Sequence, residues 1–99
     1  MKVFISQPMA DKTDEFIKEE RNRMTERVKE LYPDEGIEII DSFFEKAPHN
    51  AKPLWFLSKS LQLMSDADVV VFAPGWDQYR GCRIENKCAH DYGYAVIEM

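Results

Sequence analysis

Glu85 is the residue best placed for chemistry in this chain. It closes the run Ala73-Pro74-Gly75-Trp76-Asp77-Gln78-Tyr79-Arg80-Gly81-Cys82-Arg83-Ile84-Glu85, which follows the apolar segment Asp68-Val69-Val70-Val71-Phe72 and leads into a helix. A strand, a glycine-containing loop and a helix carrying a carboxylate in its first turns place an acid at the mouth of an α/β ligand crevice. Free N–H groups and the dipole at a helix start favour an ionised carboxylate. Such an anion is a poor acid. It serves as a nucleophile at carbon or as a stabiliser of positive charge. A glycosidic carbon is its usual target, because the transition state resembles an oxocarbenium ion. The alternative is a solvent-facing glutamate, or an ion pair with Arg83 or Lys87.

The neighbours of Glu85 offer matching groups. Arg80 and Arg83 flank Gly81, where an anion can approach the helix N-terminus; otherwise they are surface charges and Gly81 a tight turn. Trp76 and Tyr79 can stack on a base or a sugar face, or act only as a packing lid. Asp77 is the nearest second carboxylate and a candidate for proton exchange with a leaving group, or else a bare loop aspartate. Ser6, Gln7, Pro8 and Met9 open a facing loop whose hydroxyl, amide and backbone groups suit ribose hydroxyls or a phosphate. No GxxxxGK[ST] or GxGxxG run is present. His49 and His90 are isolated, and no Cys/His/Asp spacing suggests a metal site. Ser60 has no Ser-His-Asp context. Cys82 and Cys88 stand six apart on one expected helix, on different faces, and read as reduced packing cysteines.

The elements that must position these groups follow from hydrophobic patterning. Residues 2–6 read as a buried strand. Thr13 and Asp14 start a helix on which Ile17, Met24, Val28 and Leu31 keep helical spacing, and Pro33-Asp34-Glu35-Gly36 ends it. Residues 37–40 read as a second strand and 41–52, with Phe43, Phe44, Pro48, His49 and Asn50, as a long loop. Pro53 starts a second helix running to about Asp66. A third strand at 68–73, a third helix from about Gly81 to Tyr92, a left-handed stop at Gly93 and a last strand at 94–98 complete the chain. Strands alternating with helices imply a parallel sheet with right-handed crossovers. The expected architecture is three-layer α/β, flavodoxin- or Rossmann-like, with four parallel strands in order 2-1-3-4. Ligands then bind where strands one and three send their chains to opposite faces. That brings loops 6–12 and 73–80 to one crevice.

Ninety-nine residues make one domain, spanning 1–99. The net charge of −5 argues against a nucleic-acid polymer as partner, though not against a single nucleotide. No apolar run approaches membrane-spanning length, and the start Met1-Lys2-Val3-Phe4-Ile5 is too short for a signal peptide. A cytoplasmic protein without membrane association is expected.

With these residues in place the chain resembles the nucleoside 2-deoxyribosyltransferase-like superfamily, and within it a short bacterial and phage branch. The likeness spans nearly the whole chain. It rests on Lys2-Val3-Phe4-Ile5-Ser6-Gln7-Pro8-Met9, Ile39-Ile40-Asp41-Ser42, Pro53-Leu54-Trp55, Ala67-Asp68-Val69-Val70-Val71-Phe72-Ala73, Gly75-Trp76 and Arg80-Gly81-Cys82-Arg83-Ile84-Glu85. The resemblance implies that Glu85 is a nucleophile that attacks an anomeric carbon and expels a base, after which a second base or water resolves the glycosyl-enzyme. It implies a pocket lined by Ser6, Gln7, Pro8, Met9, Gly75, Trp76, Arg80 and Gly81, with no cofactor. Two acidic positions of the transferases fall on Tyr79, six before the nucleophile, and on Ser60; Asp77 is the candidate substitute.

The expected function is therefore an enzyme of the N-glycosidic bond of a nucleoside or nucleotide, a deoxyribosyltransferase or an N-glycoside hydrolase. The alternative is a non-catalytic module that binds a nucleotide-like ligand. Helix 53–65 carries Leu54, Trp55, Phe56, Leu57, Leu61, Leu63 and Met64 on more than one face. That pattern predicts a homo-oligomer.

Overall fold

The computed structural model describes residues 1–42 and 47–99. Its elements alternate as expected: β1 (Lys2–Ser6), α1 (Asp14–Leu31), β2 (Glu38–Ile39), α2 (Pro53–Met64), β3 (Val69–Phe72), a 3₁₀ turn (Trp76–Gln78), α3 (Arg80–Asp91) and β4 (Ala95–Glu98). The strands form one all-parallel sheet in the order β2-β1-β3-β4. β1 and β3 occupy the centre, where both faces are covered. Their sequences are accordingly continuous apolar runs, and Val69 to Phe72 are all buried. β2 is shorter than the expected 37–40. It lies at the sheet edge and pairs only with β1, through Lys2↔Glu38 and Val3↔Ile39. Single bonds from Glu38 N to Met1 O and from Ile40 N to Val3 O, both 2.9 Å, anchor its ends. The expected 41–52 loop lies partly outside the described residues, Phe43 and Phe44 among them; His49 and Asn50 are exposed.

Side-chain alternation along the strands divides the core in two. Val3, Ile5, Val69 and Val71 face α1 and pack with its Met24 and Val28. Phe4, Val70 and Phe72 face the other way and pack with Met64 of α2 and Ala89 of α3. The result is three layers, α1 against the sheet against α2 and α3.

Local signals set the helix ends. Thr13 is extended and its Oγ1 accepts the Phe16 N–H at 3.1 Å, with Asp14 and Glu15 in the first turn. Gly93 follows α3 at φ +76°, a left-handed stop. The buried stripe of α1 is Ile17, Glu20, Met24 and Val28. Leu31, expected in that stripe, is 44% exposed, whereas Glu20 is only 8% exposed. A charged side chain thus occupies the core-facing row within the first two turns of the helix, at the end of α1 nearest the crevice.

Candidate functional site

Ser6 is the last residue of β1 and pairs with Phe72 of β3; Ala73 N donates to Ser6 O at 2.9 Å. From this point the chain after β1 turns to one face of the sheet and the chain after β3 to the other. Glu85 comes to this edge from α3. Ser6 Oγ donates to Glu85 Oε1 at 2.9 Å, across 79 residues of sequence. The expected meeting was of loops 6–12 and 73–80; this contact joins Ser6 to Glu85 within α3.

The state of Glu85 differs from expectation. It was expected as an exposed anion held by the helix start. It is 7% exposed and lies about a turn and a half into α3, beyond the first turn where the dipole acts. Arg83 N bonds Tyr79 O at 3.0 Å, so from Arg83 onward the backbone donors are engaged in the helix. Burial therefore dominates and pushes the carboxyl up from 4.5 to about 7, while the Ser6 hydroxyl pulls in the opposite direction. Among the described residues no buried side-chain nitrogen or oxygen lacks a partner. Glu85 Oε2 carries no hydrogen bond, so it retains a window to the surface.

Gln7 follows Ser6 and is 6% exposed. Its Nε2 donates to Ile17 O at 3.1 Å and to Glu20 Oε1 at 3.0 Å, and its Oε1 accepts from Arg21 Nη1 at 3.3 Å. Its amide is thus committed to α1 and positions the loop. Arg21 also donates to Ser42 Oγ at 3.2 Å and to Ile40 O at 3.4 Å, joining the ends of β1 and β2 to α1. Burial lowers the Arg21 pKa, with the charge of Asp41 opposing. Cys82 is buried one turn before Glu85. Burial raises its thiol pKa, hydrogen bonding with Ser6 lowers it, and the charges of Glu85 and Glu20 raise it. The buried Cys82 packs on the inner side of α3, and both cysteines are free.

The other expected residues fall into two groups. Pro8 is buried beside Gln7 and Met9 is 37% exposed. Arg80 is exposed and Gly81 half-buried in the first turn of α3, and half-buried Tyr79 caps it with an extended backbone. Gly75 adopts φ +82°, which lets the chain turn sharply after β3. Trp76 is half-buried, its ring 5.5 Å from that of Phe72 at a 54° tilt, so one face packs on the second core. Asp77 is exposed, and its backbone carbonyl accepts from Arg83 Nη1 at 3.1 Å. Neither Asp77 nor Tyr79 hydrogen-bonds Glu85.

Glu20, Arg21 and Ser42 were missed from sequence. The signal for Glu20 and Arg21 was the break in the apolar stripe of α1 between Ile17 and Met24, where they stand; Ser42, after β2, had none of this kind. Beside Glu20 opens a cavity of about 130 Å³, lined by Glu20, Arg23, Met24, Pro74 and Met99. Another, of about 300 Å³, lies on the outer face of α3. Glu85 lines neither. Among the described residues no group of His, Cys, Asp and Glu is placed to hold a metal ion, and no helix is long and apolar enough to cross a membrane.

The fold and this edge define a doubly wound α/β domain with a buried carboxylate at its switch point. No family model, curated protein or solved structure matches the chain.

Proposed function

We propose that the protein acts on the N-glycosidic bond of a nucleoside or nucleotide, by transfer or hydrolysis, with Glu85 as the nucleophile. The observation that carries this is the position of Glu85: held at 2.9 Å by Ser6 at the carboxyl end of β1, with its second oxygen open. The motif likeness to the transferase-like superfamily supports the same assignment. An oxygen of Glu85 bonds the anomeric carbon, and the C–N bond breaks with its electron pair leaving on the base, which takes up a proton. Water or a second base then bonds the anomeric carbon, displaces the Glu85 carboxylate and loses a proton. Burial leaves the ionised carboxylate weakly solvated, and the developing oxocarbenium charge stabilises it as an anion. The Ser6 hydroxyl fixes its direction. Arg80 and Gly81 suit a phosphate or ribose hydroxyl, and Trp76, Tyr79, Pro8 and Met9 suit the walls of the pocket.

The test is incubation with a panel of nucleosides and nucleoside monophosphates, assayed for free base. Release by the native protein and its loss in Glu85→Ala support the reading. No release, or equal release by the variant, rejects it.

One observation favours a binding module instead. Tyr79 and Ser60 stand where the transferases carry assisting carboxylates, and Asp77 makes no hydrogen bond with Glu85. That reading expects thermal stabilisation by a nucleotide-like ligand with no base released. A further proposal concerns assembly. Met64 is the buried residue of α2, while Leu54 is 74% and Phe56 38% exposed. We propose that a second copy of the chain covers this helix; light scattering that shows a strict monomer at high concentration would overturn it. A cytoplasmic location, where both thiols stay reduced, accords with these proposals.

A further inference from the structure

We propose that the outer face of α3 is a docking surface for a second copy of this chain, the two helices lying antiparallel about a two-fold axis near Cys88. The inference is independent of the chemistry proposed for Glu85 and of the covering of α2, which is a different helix.

The face is defined by spacing. The inner side of α3 is Cys82, Glu85, Asn86 and Ala89. On the other side two rows run along the helix at intervals of four, Arg83-Lys87-Asp91 and beside it Ile84-Cys88-Tyr92. These six residues line the groove of about 300 Å³. The second row brings apolar groups to the surface: Ile84 is 37% and Tyr92 82% exposed, and Cys88 is half-buried. Rows at i, i+4 and i+8 with a groove between them are the surface into which a like row of another helix packs.

Charge selects the occupant. Arg83 stands in the first turn of α3 and Asp91 at its end. An occupant must present the two signs in reverse order, an acid opposite Arg83 and a cation opposite Asp91. The same face turned end for end does so. Setting Arg83 against Asp91 of the second copy centres the pair on Lys87, and setting Ile84 against its Tyr92 centres it on Cys88. One axis therefore serves both rows, as a self-complementary two-fold contact requires. Donor and acceptor atoms are in place. Asp91 Oδ2 accepts from Lys87 Nζ of its own helix at 2.9 Å, which leaves Oδ1; Arg83 Nη1 donates to Asp77 O at 3.1 Å, which leaves Nη2. Lys87, nearest the axis, is neutralised by its own Asp91. The helix ends agree. α3 has no acid in its first turn and no side-chain cap, while Arg80 and Arg83 stand at the positive end of the dipole. Antiparallel pairing brings these cations toward the negative end of the second helix. One helix face on another buries less than the roughly 1,200 Å² of a stable interface, so the dimer is expected to dissociate on dilution.

The experiment is sedimentation velocity over a range of protein concentration, with a short bis-maleimide crosslinker and mass spectrometry to locate the linked residues. The native protein is expected to form a concentration-dependent dimer linked Cys88 to Cys88, and Cys88→Ser to give no linked dimer. Arg83→Glu and Asp91→Arg are each expected to weaken the dimer by about 10-fold, since each loses two pairs per dimer. The double variant is expected to restore it, which a folding defect would not allow. Leu54→Lys, on α2, is expected to keep the Cys88 link. A strict monomer at high concentration overturns this proposal together with that for α2. A dimer indifferent to both charge reversals, one not linked through Cys88, one whose Cys88 link is lost in Leu54→Lys, or failure of the double variant to recover overturns this proposal alone.

Discussion

Replacing Glu85 by glutamine removes a charge the fold resists and keeps the shape of the side chain. Burial raises the folded carboxyl from 4.5 to about 7. Between those values the unfolded chain has lost the proton that the folded chain keeps, so stability falls as pH rises. The stabilisation is complete below about 4.5 and is lost as pH passes through about 7. The difference corresponds to at most about 3 kcal/mol. Glu85→Gln carries no such penalty, and its amide oxygen still accepts from Ser6. The variant and the native protein should match near pH 4 and diverge as pH rises. By about pH 8 the variant should be more stable by up to about 3 kcal/mol, or roughly 10–20 °C in Tm for a domain of this size. Paired thermal melts across this range measure the gap directly, with all other titrations cancelling between the two proteins. A gap that stays constant with pH, or a native protein that overtakes the variant at high pH, would refute a buried carboxyl biased toward its neutral form.

Other expectations follow from the same contacts. Ser6→Ala removes the hydroxyl that opposes burial, so the Glu85 carboxyl should titrate higher still, seen as an upward shift of its carbon resonance midpoint in a carboxyl-labelled NMR titration. If Glu85 is the nucleophile, kcat/KM should rise with pH through about 7 in the native protein; a falling limb there would assign it as an acid instead. Arg21→Met leaves Gln7 Oε1 and Ser42 Oγ without their donor and should cost about 1–3 kcal/mol in urea unfolding. Thr13→Ala removes the α1 cap and should cost about 1 kcal/mol, again by denaturation.

The frame was legible because its signals are local. Apolar runs at 2–6 and 68–73, periodic helices between them and Gly93 after α3 fix a βα alternation, and crossover handedness then leaves little choice of strand order. That order brings the loops after β1 and β3 to one edge of the sheet; the bond from Ser6 to Glu85 depends also on how α3 packs. The charge state of Glu85 did not, because it depends on how deep the side chain lies once α3 packs on the sheet. Helix position suggested a dipole-held anion; burial overrode it. Glu20 and Arg21 were hidden for a related reason. Both read as part of a charged outer face, and only the rotation of α1 against Val3 and Ile5 turns them inward toward Gln7. Leu31, which fits the helical period, is left outside by the same rotation.

The central claim is that a sugar becomes covalently attached to Glu85. Fluorine beside the anomeric carbon of a nucleoside slows both displacements by destabilising their oxocarbenium-like transition states, and an activated leaving base on the same nucleoside keeps the first faster than the second, so the intermediate accumulates. Incubation with such a compound, followed by acid quench, proteolysis and mass spectrometry, reads the attachment directly. The account predicts one fluorosugar on the peptide containing Glu85, localised to that residue. A sugar on any other residue, or none on a protein that releases base from ordinary nucleosides, would contradict it.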